Sequence, residues 1–156
     1  MINGRVMIVK GVNVHEHHPV TGHYVDEQTK ETDICLWKQY NINAIRTSHY
    51  PQSPEVYQLC DKYGIYVVDE ANIEAHGLDR FDRERHPSFL SEWKGQHIDR
   101  TLRMFERDKN HPSVIIWSLG NESDFGPNYE TTYRLLKERD KAKRPVQFER
   151  SFENEF

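Results

Sequence analysis

Four stretches hold side chains whose types and spacing could do chemistry. Gly120-Asn121-Glu122 places a carboxylic acid directly after the apolar run Val114 to Trp117, and Glu74 and His76 stand two apart in the polar stretch Asp69 to Gly77. His15-Glu16-His17-His18-Pro19 and Arg46-Thr47-Ser48-His49-Tyr50-Pro51 gather imidazoles and a guanidinium. A carboxyl group at the end of a buried strand can serve as a general acid or base. If Glu74, His76 and Glu122 converge from neighbouring strand exits, they could hold a hard cation such as Mg²⁺, with water in its remaining positions. Histidine is not a preferred magnesium ligand, and the alternative is a loop hydrogen-bonded through its own acids. Asn121 and Glu122 also admit a plainer reading, as the polar exit of a strand. Asp69 and Glu70 lie on or just past a strand and read as structural.

Other patterns in the same stretches carry no function. Asn121-Glu122-Ser123 spells a glycosylation sequon but follows a buried strand, and Asp124-Phe125-Gly126 lacks every other kinase motif. His15-Glu16-His17-His18 is not the zinc-protease helix motif, because Pro19 occupies the fifth position; its spacing alone reads as scattered surface histidines.

The elements that must position these residues alternate regularly. Asn3-Gly4 predicts a tight hairpin turn before the apolar run Val6 to Val9, with only two residues ahead of it. A strand then leads into the histidine-rich loop. Asp26 caps a helix to about Tyr40, with Ile34, Leu36, Trp37 and Tyr40 as its apolar positions. Ile42 to Thr47 is a strand. Ser53 and Pro54 open a helix with Val56, Cys60 and Tyr63 on one face, closed by Gly64. Ile65 to Val68 is the third strand. A charged loop leads to a helix from about Phe89 to Arg107, striped by Ile98, Leu102 and Phe105. Asn128 caps a fourth helix carrying Tyr129, Thr132, Tyr133 and Leu136, and Pro145 to Phe148 is a fifth strand. The order β-α-β-α-β-α-β-α-β predicts a parallel sheet with crossover helices. Every strand exit is polar, and every helix-to-strand turn is plain. That asymmetry predicts an α/β fold of the (β/α)₈ type, with the site at the C-terminal ends of the strands. A full barrel needs about 250 residues, so about four and a half βα units are expected here, the N-terminal half. Residues 1–156 are expected to form one partial barrel domain, truncated at both ends.

Composition narrows the partners. A net charge of −4, from 21 basic and 25 acidic residues, leaves no electrostatic footprint for nucleic acid or an anionic membrane. No apolar run approaches the ~20 residues that span a bilayer, and no signal segment opens the chain. The expectation is a soluble chain without an address, its compartment, cytoplasmic or periplasmic, left open. Cys35 and Cys60 read as free helical thiols. Tyr24, Tyr50, Trp93 and Trp117 lie near the polar stretches; sugar stacking is open to them, but core packing is the ordinary role.

Taken together and in order, Gly11-Val12-Asn13 with the histidine-rich loop, Arg46 to Pro51, Asp69 to Gly77 and Ile116 to Ser123 closely resemble the catalytic barrel of family 2 glycoside hydrolases, of the large bacterial β-galactosidase type. The resemblance runs from Gly11 to Phe148. The family's β-glucuronidases share the Arg-Thr-Ser-His-Tyr-Pro and Asn-Glu patterns but differ around the histidine-rich loop and after the Asp-Glu pair.

The resemblance implies a retaining hydrolase of terminal β-D-galactosides. It makes Glu122 the general acid/base and Asn121 the residue that holds the sugar 2-hydroxyl. Glu74, His76 and Glu122 match magnesium ligands, His15 and His49 match residues lining the galactose subsite, and Arg46 matches an arginine supporting the nucleophile. A retaining enzyme needs a second carboxylate about 5 Å from the first. In the family it lies on a later strand than any read here, and Glu149 matches no nucleophile motif. The rest of a longer polypeptide, or self-association, is therefore expected. An inactive fragment, a sugar-binding half barrel and β-glucuronidase-like specificity are the alternatives.

Overall fold

The computed structural model describes residues 2–78 and 85–150. Part of the charged loop read before the third helix, residues 79–84, lies outside them.

Five strands, Gly11–Val14 (β1), Ala44–Thr47 (β2), Tyr66–Glu70 (β3), Val114–Ser118 (β4) and Val146–Gln147 (β5), pair in parallel and in chain order. Four helices, Glu27–Gln39 (α1), Pro54–Tyr63 (α2), Lys94–Asp108 (α3) and Pro127–Arg139 (α4), fill the crossovers. This is the sequential, all-parallel arrangement expected of part of a (β/α) barrel.

The register explains which face of each strand does what. Arg46 pairs with Val68, Glu70 with Ser118, and Ser118 with Gln147. With a side-chain period of two, these residues share one face, and Ile45, Thr47, Val67, Asp69 and Trp117 share the other. That second face packs on the helices. Trp117 is fully buried edge-on to Phe105, their centroids 5.4 Å apart, and its indole Nε1 donates to Asp140 at 2.9 Å. Tyr57 donates to Asp69 at 2.6 Å. The core gathers Ile34, Ile45, Val56, Tyr57, Cys60, Val67, Met104, Phe105, Trp117 and Leu136 between sheet and helices.

Several element readings hold. Asn3 and Gly4 both have positive φ inside a turn closed by two backbone bonds between Ile2 and Arg5. Asp26 accepts from the Thr29 backbone at 2.9 Å, and Gly64 ends α2 at φ 69°. Both cysteines are free thiols; burial, then the charge of Asp61, pushes Cys60 up to about 12.

Other readings are corrected. Val6 to Val9 is not a strand: Val6 and Ile8 are exposed, and β1 starts at Gly11. On α1, Leu36 and Tyr40 are exposed and only Ile34 is fully buried. The stripe of α3 is rotated. Its buried face is His97, Thr101, Met104, Phe105 and Asp108, while Ile98 and Leu102 are only partly buried. Ser53 occupies the N-cap of α2, but its hydroxyl donates to Glu16 at 2.6 Å instead of capping. Asn128 does not cap α4. Gly126 does, with Pro127 in the first turn, while the Asn128 amide donates to the carbonyls of Pro87 and Leu90. Trp117 is core, whereas Tyr24 and Trp93 stand exposed. Among the described residues no helix is long and apolar enough to cross a membrane.

Candidate active site

The polar residues singled out from the sequence collect at the C-terminal ends of the strands. Arg46 lies on β2, with His15 and His49 just past β1 and β2, Glu74 and His76 past β3, and Asn121 and Glu122 past β4. Because the strands are parallel, all of these exits fall at one end of the sheet.

Glu70 is the hub. Its carboxylate is completely buried, with Oε2 accepting from Arg46 Nε at 2.6 Å and from Ser118 Oγ at 2.6 Å, and Oε1 lying 2.8 Å from His49 Nδ1. A buried carboxylate is tolerable only when its lone pairs are taken in this way. Gln147 extends the network by donating to Ser118 Oγ at 3.0 Å.

Arg46 continues from there to the next strand ends. Its Nη2 donates to Asn121 Oδ1 at 2.9 Å and to Glu149 Oε2 at 3.3 Å. Asn121 is held at both halves of its amide, since Nδ2 donates to Glu74 Oε1 at 3.0 Å. One Nδ2 hydrogen remains for a ligand hydroxyl.

Glu122 is delivered by a tight exit from β4. Gly120 has φ +150°, and a Cβ there would lie 2.3 Å from the Ile73 carbonyl oxygen, so only glycine passes. Asn121 N then donates to that same carbonyl at 2.9 Å, tying the β3 and β4 exits together. Glu122 itself takes φ 32°, a conformation that non-glycine residues hold chiefly where the surroundings impose it. Its backbone N–H donates to Glu149 Oε1, and its side chain is half exposed.

Glu74, His76 and Glu122 converge: their ligand atoms all lie within 4.8 Å of one another. His76 Nδ1 is 2.7 Å from Glu74 Oε1 and 3.5 Å from Glu122 Oε2. Adjacent ligands of an octahedral Mg²⁺ at 2.0–2.1 Å stand about 3 Å apart, between those two spacings. Two carboxylates and an imidazole within 4.8 Å of one another are a donor set that could hold such a cation. Burial pushes the Glu74 carboxyl up, but hydrogen bonds from Asn121 and His76 and the charges of His49 and His76 outweigh it, and the net shift is downward. An ionised Glu74 is the form a cation needs.

His15 and His49 meet edge to face, centroids 5.4 Å apart. Burial, then the neighbouring His49 and His17, lowers the His15 pKa, which favours a neutral ring.

Two contributors were not singled out as site residues. Glu70 read as structural, yet it joins Arg46, His49 and Ser118. Glu149 matches no nucleophile motif, yet it holds both Arg46 and the Glu122 backbone. Counting by two from Gln147 places Glu149 on the site face, whereas no pattern within one strand decides the facing of Glu70.

The chain is similar to known glycosidases in sequence and in structure. A β-galactosidase of Vibrio cholerae serotype O1 is 51% identical over 148 residues, covering 95% of this chain and 14% of that protein. One from Pectobacterium atrosepticum is 49% identical over 152 residues, 96% of this chain and 14% of that protein. The chain thus spans about one seventh of the length of these relatives. Among solved structures, a Ruminococcus gnavus β-glucuronidase in complex with a C6-substituted uronic isofagomine superposes with a TM-score of 0.78 at 34% identity, covering 92% of this chain and 25% of that one. A Faecalibacterium prausnitzii β-glucuronidase gives the same TM-score and identity, covering 94% and 25%. Residues 1–156 match the family described as glycosyl hydrolases family 2, TIM barrel domain, and the chain belongs to that family.

Proposed function

We propose that this chain carries the acid/base half of a retaining β-galactosidase site. The observation that carries it is the convergence of Glu122 with Asn121, Glu74 and His76 at the ends of β3 and β4, next to the Glu70–Arg46–His49 network. Glu122 protonates the departing glycosidic oxygen and then takes a proton from the attacking water. Asn121, locked by Arg46 and Glu74, presents its remaining amide hydrogen to the sugar 2-hydroxyl. His15 and His49 line the sugar subsite. Glu74, His76 and Glu122 would hold Mg²⁺, which adds fixed positive charge beside the acid/base and favours its carboxylate form. The nucleophilic carboxylate comes from another barrel strand. Glu149 is not that group in this reading, because its position matches no nucleophile motif.

The solved β-glucuronidases give a second reading, a uronide substrate. A uronic acid brings its own carboxylate and needs a free cation to meet it. Arg46 is instead spread over Glu70, Asn121 and Glu149, and the site is otherwise rich in carboxylates. That favours a neutral sugar. Among the described residues β1 and β5 each pair on one side only, so we also infer that further strands or a second copy cover these edges.

The test compares aryl β-D-galactoside and aryl β-D-glucuronide hydrolysis by the polypeptide that carries this sequence. Turnover of the galactoside, reduced about 10²–10⁴-fold by Glu122→Gln, supports the reading. Preference for the glucuronide supports the second. Sugar binding without turnover of either would leave a carbohydrate-binding protein.

A further inference from the structure

The histidine-rich loop holds a second constellation that shares no residue with Glu74, His76 and Glu122. His18 and Gly22 form an antiparallel bridge with both backbone bonds made, His18 N to Gly22 O at 2.8 Å and Gly22 N to His18 O at 3.0 Å. Gly22 takes φ +68° at the end of this small hairpin. One step further out, His17 stands directly opposite His23. In an antiparallel pair the position next to a hydrogen-bonded one is the close one, where side chains approach most nearly.

The two rings meet there. His17 Nε2 and His23 Nε2 are 3.3 Å apart, with centroids 4.4 Å apart. Two imidazole nitrogens on a tetrahedral ion, each 2.0–2.1 Å from it, are separated by about 3.3–3.4 Å. His23 Nδ1 lies 3.0 Å from the Glu16 carbonyl oxygen, an acceptor only, so Nδ1 carries the hydrogen and Nε2 keeps its lone pair. A ring N–H held by a backbone carbonyl is the usual support of a metal-binding histidine. His17 is steadied on its other side by stacking on His15, centroids 5.4 Å apart and planes 16° apart.

The platform beneath is anchored. Glu16 accepts from Ser53 Oγ at 2.6 Å and Ser53 N at 2.9 Å, its own N–H donates to Tyr50 at 3.0 Å, and Lys30 approaches its carboxylate at 3.6 Å. The Glu16 carboxylate is therefore occupied and is not a ligand. His18 Nδ1 is occupied too, by Val20 N, Thr21 N and Thr21 Oγ1. What remains is two exposed, convergent imidazoles with open water on the far side.

We propose that His17 and His23 bind a borderline divalent transition metal of the Zn²⁺, Ni²⁺ or Cu²⁺ class, with water completing its coordination. Two neutral nitrogens without a carboxylate select such ions against Mg²⁺ and Ca²⁺. Without metal, His17 Nε2–H donates to His23 Nε2; on binding, the His17 ring changes tautomer, its hydrogen passing through solvent to Nδ1, and the freed Nε2 lone pair takes the ion. The site flanks the subsite histidines, since His17 stacks on His15 and His23 lies edge-on to Tyr50 at 6.1 Å.

The test is calorimetric titration with Zn²⁺ of the metal-stripped protein in a Glu74→Gln background, which disables the other cation site. It reads binding and not hydrolysis, so its outcome is separate from that of the proposed activity. One Zn²⁺ per chain is expected, with affinity weakened at least about tenfold by His23→Gln and by His17→Gln. Both side chains are exposed, so unchanged circular dichroism is expected to accompany the loss. With Cu²⁺ as the probe, electron paramagnetic resonance should show two coordinating nitrogens in the parent and one in either variant. Weakening of less than tenfold in either variant, or the same nitrogen count in all three proteins, would overturn the proposal.

Discussion

Glu149, two residues past the fifth strand, accepts a hydrogen bond from the backbone N–H of Glu122, four residues past the fourth. Its other oxygen accepts from Arg46 at 3.3 Å. Glu122, the proposed acid/base, is thus held from the next strand through its main chain, while its carboxylate lies 3.5 Å from His76 Nδ1. Glu149→Ala should lower kcat of galactoside hydrolysis by up to about 10²-fold, the scale of a displacement near 1 Å, with little change in KM. Glu149→Gln keeps one acceptor oxygen and should fall between. Steady-state kinetics on both variants would decide it, and wild-type kcat in Glu149→Ala would remove the positioning role.

The exit from β4 makes a stability prediction. Gly120→Ala sets a Cβ 2.3 Å from the Ile73 carbonyl, against backbone that Asn121 N also grips. Relief requires moving the β3 exit, at a cost of roughly 1–3 kcal/mol or more. Urea unfolding should show the midpoint falling with the slope unchanged. A midpoint equal to wild type would mean that the two exits are not in contact as described.

Much of this was legible in the chain. His15, Arg46, His49, Glu74, His76, Asn121 and Glu122 follow or end apolar strands, and alternation with helices forces parallel strands whose exits share one end. The hub was not legible. Glu70 meets Arg46 and Ser118 across 24 and 48 residues of chain, and only the register decides whether a strand-end acid faces the site or the helices. Asp69, one position earlier, faces the helices. The buried polar face of α3 was hidden for a similar reason. His97 enters the interior against Tyr129, and Asp108 is held at 2.7 Å by its neighbour Arg107, whose Nη2 also donates to the distant Gln52 carbonyl at 2.8 Å. Glu149 gained its role from the main chain of Glu122, which no side-chain pattern records.

Asp69 predicts how stability varies with pH. It is fully buried, with Oδ1 accepting from Tyr57 and no donor to Oδ2 among the described residues. Burial, then the charge of Asp108, raises its pKa well above the carboxylate range. A carboxyl raised on folding contributes its stability in full below its unfolded pKa, about 3.9, and loses it as pH rises toward the folded value. Asp69→Asn retains the Oδ1 acceptor and removes the titration. The variant should gain thermal stability relative to wild type as pH rises from about 4 to 8. Thermal melts across that range check it, and a constant difference would show that Asp69 is not the titrating group.

The claim that Glu122 is the acid/base is tested most directly by how its loss depends on the leaving group. A general acid matters most when the departing oxygen is basic and least when the aglycone leaves unaided. The measurement is kcat/KM of wild type and Glu122→Gln on an alkyl β-D-galactoside and on a dinitrophenyl β-D-galactoside, using the polypeptide that carries this sequence. The account predicts a loss of about 10²–10⁴-fold on the alkyl substrate and a much smaller loss on the activated one. Equal losses on both substrates, or none on the alkyl galactoside, would contradict it.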